Sequence, residues 1–179
     1  MKLRSSLILP LTLFTALGVL ASTGTLANPS VKTSTYAAQK STYQPIPDEY
    51  CRVLRNDAQK ALGTTFTLKK GAFTDYLTGE RGTGCIMSAK GTGVKFRSPA
   101  TVVNKLKAAF IGWEENAQYQ ADGPTGKATA FTRDQGLLLV NVEWEPAPSA
   151  KCSRNVPIGE CNLRPAQQIY TIKLAVAMK

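Results

Sequence analysis

With 179 residues, 22 of them basic and 12 acidic, the chain carries a formal charge of +10 at pH 7 and is long enough for one domain with a sizeable core. It contains no histidine. That excludes Ser-His-Asp and Cys-His catalysis, histidine-ligated metals and a histidine pH switch.

The first segment reads as an address rather than as fold. Lys2 and Arg4 precede an apolar run over residues 7–20, and Ala21 and Ala27 follow as small-residue cleavage points. This order is that of a secretory signal peptide, residues 1–27. The run falls short of the roughly 20 residues that span a bilayer, and no later stretch replaces it, so no transmembrane helix is expected. The expected location is secreted or periplasmic. Cleavage after Ala27 leaves 20 basic and 12 acidic residues, a net charge of +8. Residues 28–47 are rich in Ser, Thr, Gln, Ala and Pro without an apolar period, and read as a flexible leader. Residues 48–179 then form a single domain.

The spacing predicts a first helix over 48–62, with Asp48 as N-cap and Gly63 as the stop. Tyr50, Cys51, Leu54, Ala58, Ala61 and Leu62 make its apolar face. Residues 65–68 have strand composition, but Lys69-Lys70-Gly71 is expected to break it. Residues 78–84, with three glycines, read as a loop. Residues 85–89 and 94–96 read as a hairpin around Gly91-Thr92-Gly93. A second helix starts at Ser98-Pro99 and buries Val102, Val103, Leu106, Ala109 and Phe110 before Gly112 ends it. A meander follows over 116–121, 128–133 and 137–144, with turns at 122–126 and 134–136. Leu138, Val140, Val142 and Trp144 share one face. A last strand over 168–177 places Tyr170, Ile172, Leu174 and Val176 together. Period-2 alternation indicates an antiparallel sheet with one covered face. The expected class is α+β, a two-layer sandwich of about five antiparallel strands covered on one face by two helices.

All four cysteines, Cys51, Cys85, Cys152 and Cys161, follow the leader. An even count in an exported chain implies disulfides. Cys152–Cys161 would close a short loop rich in turn residues, which leaves Cys51–Cys85. Constraining the unfolded chain in these loops is worth about 3 and 4 kcal/mol respectively. A Cys₄ zinc site would want a C-x-x-C pair, which is missing.

Nothing in the sequence signals a cofactor or a metal. Gly79-Glu80-Arg81-Gly82-Thr83-Gly84 lacks the G-K-[ST] ending of a phosphate loop. Glu143 and Glu145, at i and i+2 around Trp144, lie on one face of a strand, roughly 7 Å apart at Cα. They are the candidates for carboxylate-dependent hydrolysis, Glu114 and Glu115 being weaker because they would point to opposite faces of a strand, and the simpler reading is two solvent-facing glutamates beside a core tryptophan.

Charge is the more informative signal. Residues 58–107 hold nine basic side chains against Asp75 and Glu80, so +7 of the net +8 falls there. Lys69, Lys70, Lys90, Lys95, Arg97, Lys105 and Lys107 are therefore the candidate binding residues. Their expected partner is an anionic envelope polymer, a membrane surface or an acidic protein. Nucleic acid is not expected, because aromatics do not interleave with the basic run. The sequence thus favours a non-enzymatic accessory or binding protein of the cell envelope. The alternatives are an inhibitor of a secreted hydrolase, presenting Arg154 or the 122–126 turn, and a small hydrolase using Glu143 or Glu145.

Overall fold

The computed structural model describes residues 42–152 and 155–179. The expected signal peptide, the leader up to residue 41, and Arg154 lie outside the described residues.

Helix α1 spans Asp48–Leu62, with Asp48 and Glu49 in its first turn, where the helix dipole favours acids. Asp48 is not the cap: Pro47 occupies that position, and the Asp48 carboxylate reaches Lys70 Nζ at 2.9 Å instead. Gly63 ends the helix at φ 60°, a left-handed conformation that suits glycine. Cys51, Leu54, Ala58 and Leu62 are buried, whereas Tyr50 is 61% exposed. At 100° per residue Tyr50 lies at the margin of the stripe the other four define.

Strand β1, Thr67–Thr74, runs straight through Lys69-Lys70-Gly71, which had been expected to interrupt it. It is an edge strand, and edges tolerate charge and glycine because one side pairs with nothing. Strand β2, Arg81–Thr92, likewise includes residues 81–84, read from sequence as loop. The glycine at 82 has a packing reason. A Cβ there would collide with the backbone of Tyr43, which bridges to Gly82 in parallel register. The hairpin is therefore β1–β2. Residues 94–96, expected as a strand, lie in a single helical turn, α2, Gly93–Phe96. Phe96 is buried there, against Gly91 and 5.7 Å from the Tyr170 ring.

Helix α3, Pro99–Ala109, follows its sequence signals: the Ser98 hydroxyl accepts from the Thr101 N–H at 3.1 Å, and proline stands first. Four strands complete the chain: β3 Glu114–Gly123, β4 Gly126–Arg133, β5 Gly136–Pro146 and β6 Gln168–Met178. All pairings are antiparallel, in the order β1-β2-β6-β5-β4-β3. The protein is α+β, with six strands rather than about five and three helices rather than two.

Two apolar clusters flank the strands. The larger joins Cys51, Leu54 and Ala58 of α1 and Val102, Val103 and Leu106 of α3 with Met87, Leu138, Val140, Val142, Trp144 and Ile172. The smaller joins Tyr43, Phe73, Tyr119, Ala130, Leu137 and Leu139 with Ala177. Strict alternation predicted a solvated face for Leu137 and Leu139, yet both are buried. The chain before α1 supplies the cover. Tyr43, 3% exposed, packs in this cluster and Gln44 bridges to Met178, while Ile46, 8% exposed, packs into the larger cluster. Residues 42–47 thus belong to the packed domain and not to a loose leader. The expected disulfides are both formed: Cys51–Cys85 joins α1 to β2, and Cys152–Cys161 closes the loop before β6.

A chain beginning at Asp48 loses the buried Tyr43 and Ile46, each worth about 1.5–3 kcal/mol. Relative to one beginning at Thr42, its thermal midpoint should fall by on the order of 10 °C. Equal midpoints in a melting experiment would show that this strap contributes nothing.

Candidate functional site

The expected binding residues are distributed unevenly. Lys69 and Lys70 of β1 join Arg52 and Arg55 of α1 around a concavity of about 600 Å³. The two arginines are three residues apart and so share one helix flank. Lys69 and Lys70 point to opposite sheet faces, but β1 is outermost, so both long side chains reach its free edge. The floor is apolar and cross-linked, made by Phe66, Leu68 and the Cys51–Cys85 bond. One acid lines the site: Asp48, paired with Lys70, whose hydrogen bond and charge hold the carboxyl below its ordinary pKa. Four cations against one carboxylate leave a local charge of +3. Arg52 and Arg55 fall outside the basic run at 58–107, so charge counting along the sequence missed them. Their i, i+3 spacing on a predicted helix was the available signal.

The remaining candidates lie elsewhere. Lys107 donates to Glu115 Oε2 at 2.6 Å, so its charge is neutralised locally. Lys90 lines a second concavity, about 390 Å³, together with Glu143, Glu145, Thr171 and Lys173. Lys173 reaches Glu143 Oε1 at 3.3 Å. The charges here are mixed, and Trp144, 9% exposed, belongs to the core cluster while also lining this concavity. Lys95 and Lys105 are exposed on α2 and α3. Arg97 is exposed at φ 63°, its carbonyl accepting from the Tyr170 hydroxyl at 3.2 Å.

A third feature is apolar. Tyr50 and Val53 of α1 and Ile111 and Trp113 after α3 line a groove of about 490 Å³. Ile111 is 87% exposed. Helix α1 is the shared wall: Tyr50, Val53, Leu54 and Asp57 border the groove, and Arg52 and Arg55 the basic concavity.

No sequence signal pointed to Asp75, which is 1% exposed at the β1–β2 turn. Its Oδ2 accepts from the hydroxyls of Tyr43 at 3.0 Å, Tyr119 at 2.9 Å and Thr78 at 2.8 Å. Its Oδ1 accepts from the Leu77 N–H at 3.0 Å. Burial pushes the carboxyl pKa up, but the bonds from Thr78, Leu77, Tyr119 and Tyr43 outweigh it and bring it below the ordinary value. Burial and the same carboxylate raise Tyr119 to about 12. The hydroxyls of Tyr43, Tyr119 and Thr78 and the Leu77 N–H all engage the carboxylate, so Asp75 acts as a pin. It fixes the strap before α1 and strand β3 to the hairpin.

Among the described residues no helix is long and apolar enough to cross a membrane, and no group of three or more acidic or cysteine side chains is placed to hold a metal ion. Comparison of the chain with family models, curated proteins and solved structures gave no match.

Because the Asp75 pKa is depressed on folding, its contribution is complete above the unfolded value of about 3.9 and is lost as pH falls through the folded value. Asp75→Asn should lower stability at neutral pH by roughly 2–4 kcal/mol and flatten the loss below pH ~4. Urea unfolding across pH measures both. Parallel curves for the two proteins would remove the carboxylate from the account.

Proposed function

We propose that this chain is an exported, disulfide-stabilised accessory protein of the cell envelope, secreted or periplasmic after signal-peptide removal. Its domain is a two-layer sandwich, with helices on one sheet face. It works by binding rather than by catalysis, and the partner is anionic. The observation that carries this reading is the convergence of Arg52, Arg55, Lys69 and Lys70 over a cross-linked floor with one opposing acid. Such a site concentrates positive potential in a partly enclosed space, where it is screened less than on a convex surface. The two disulfides support an oxidising compartment. The hydrolase reading has less support, because Lys173 engages Glu143 and Lys90 and Lys173 stand among the carboxylates of that concavity.

Retention on a heparin matrix tests the reading. Replacing Arg52, Arg55, Lys69 and Lys70 by glutamine should weaken retention on the order of tenfold or more at low salt. Replacing Lys95, Lys105, Lys127 and Lys151 removes the same charge and should matter far less. Equal losses would mean attraction by net charge alone.

A further inference from the structure

We infer that the basic concavity is a phosphate site, and that Asp48 is its built-in competitor. The site takes a phosphate group carrying two or more negative charges, which displaces the Asp48 carboxylate from Lys70. The inference rests on the anion-binding reading and names the ligand class for that same site.

Three features select phosphate over anionic surfaces in general. The first is donor type. Guanidinium groups present paired N–H donors in a fixed fork that matches the oxygens of phosphate, while lysine adds point charge. Arg52 and Arg55 make no ion pair within 4 Å among the described residues, and Arg55 donates only to Asn56 Oδ1, at 3.1 and 3.4 Å. The Arg52 fork is open to an incoming oxyanion, and an oxyanion of full charge competes with the neutral Asn56 amide oxygen for the Nε–Nη2 edge of Arg55. The second is charge balance. A single carboxylate would leave most of the local +3 uncompensated, whereas a phosphate ester carries about −1.5 to −2 and a short polyphosphate more. The third is shape. A volume of about 600 Å³ is that of a small-molecule site. One wall is formed by the contiguous residues 66–70, of which 67–70 belong to the outermost strand β1. An edge strand turns part of its N–H groups outward, and phosphate oxygens accept such donors. The Phe66 N–H is already taken by Gln59 Oε1 at 3.0 Å.

Asp48 completes the argument. Its side chain is 63% exposed and that of Lys70 58% exposed, so their contact at 2.9 Å is a solvated ion pair of little stabilising value. It nonetheless places a carboxylate where an anionic ligand would sit. Arg52 contributes to the same field on Asp48. The pair holds Lys70 in position in the empty site and yields to a group of higher charge.

The test is calorimetric titration of the whole exported chain with inorganic tripolyphosphate, with pyrophosphate, and with citrate, a carboxylate polyanion that matches pyrophosphate in charge near neutral pH; pyrophosphate too should bind more tightly than citrate. Vesicles of phosphatidylcholine containing phosphatidic acid form a second arm. Tripolyphosphate should bind saturably at one site, at least tenfold more tightly than citrate, and Arg52→Gln or Arg55→Gln should each weaken it on the order of tenfold. Asp48→Asn should tighten binding about threefold, and Glu49→Gln, an equal charge change on a neighbour outside the site, should not. Binding to vesicles with the same dependence on Arg52 and Arg55 assigns the phosphate to a lipid headgroup; tripolyphosphate alone assigns a free phosphate. Citrate binding as tightly as tripolyphosphate overturns the ligand class. Equal effects of Asp48→Asn and Glu49→Gln overturn the competitor. Retention on heparin without binding of tripolyphosphate or vesicles overturns the inference and leaves the anion-binding reading standing; loss of heparin retention as well removes both.

Discussion

The Cys51–Cys85 bond is the constraint on which the placement of the surface depends. It joins the first turn of α1 to the fifth residue of β2, directly opposite Lys70 in the neighbouring strand. Once Cys51 is held there, the rotation of α1 about its axis is no longer free. Residues 100° and about 400° further along, Arg52 and Arg55, must fall on the flank beside β1. Tyr50, Val53 and Leu54 must fall on the other. One cross-link therefore determines both concavities, and gives them opposite character although they share a wall. The same bond closes a loop of 34 residues that holds the whole β1–β2 turn, so it restricts the unfolded chain as well as the native surface.

The smaller cluster is organised by a polar group rather than by burial alone. A carboxylate with 1% exposure would be destabilising without partners. Asp75 has partners from three separate parts of the chain: the strap before α1, its own turn, and β3. The Tyr43 ring that brings one of those hydroxyls also covers Phe73, at 4.7 Å between centroids, and the Tyr119 ring lies in the same apolar cluster. Hydrogen bonding and apolar cover are thus supplied by the same residues. This face consequently tolerates a short strap of a few residues where a helix would otherwise be needed.

What the sequence made legible follows from where each element sits. The bounds of α1, the cap of α3 and the strands β4, β5 and β6 were readable, because their side chains face a core and alternate or repeat accordingly. Both disulfide pairings followed from loop size and elimination. Strand β1 and the start of β2 were not readable. At an edge, Lys69, Lys70 and Gly71 cost little, and Gly82 reflects the close passage of Tyr43, a contact 39 residues away in sequence. Local patterns cannot report on that. Residues 42–47 were misjudged for the same reason: their partners, Gly82 and Met178, are remote. Asp75 read as one of two acids in a basic run, since nothing local shows that two tyrosines converge on it.

The basic run itself shows why linear charge is an unreliable guide to a binding face. Pairing register distributes consecutive lysines to opposite sides of a sheet, and tertiary contacts neutralise some of them. Lys107 is matched by Glu115, and Lys90 stands beside Glu143 and Glu145. What distinguishes Lys69 and Lys70 is that the nearest helix flank contributes two more cations and only one acid. The functional quantity is therefore not the +7 carried by fifty residues. It is the much smaller charge that remains where two elements meet and no counter-charge is available, and that quantity exists only after α1 has been fixed against β2.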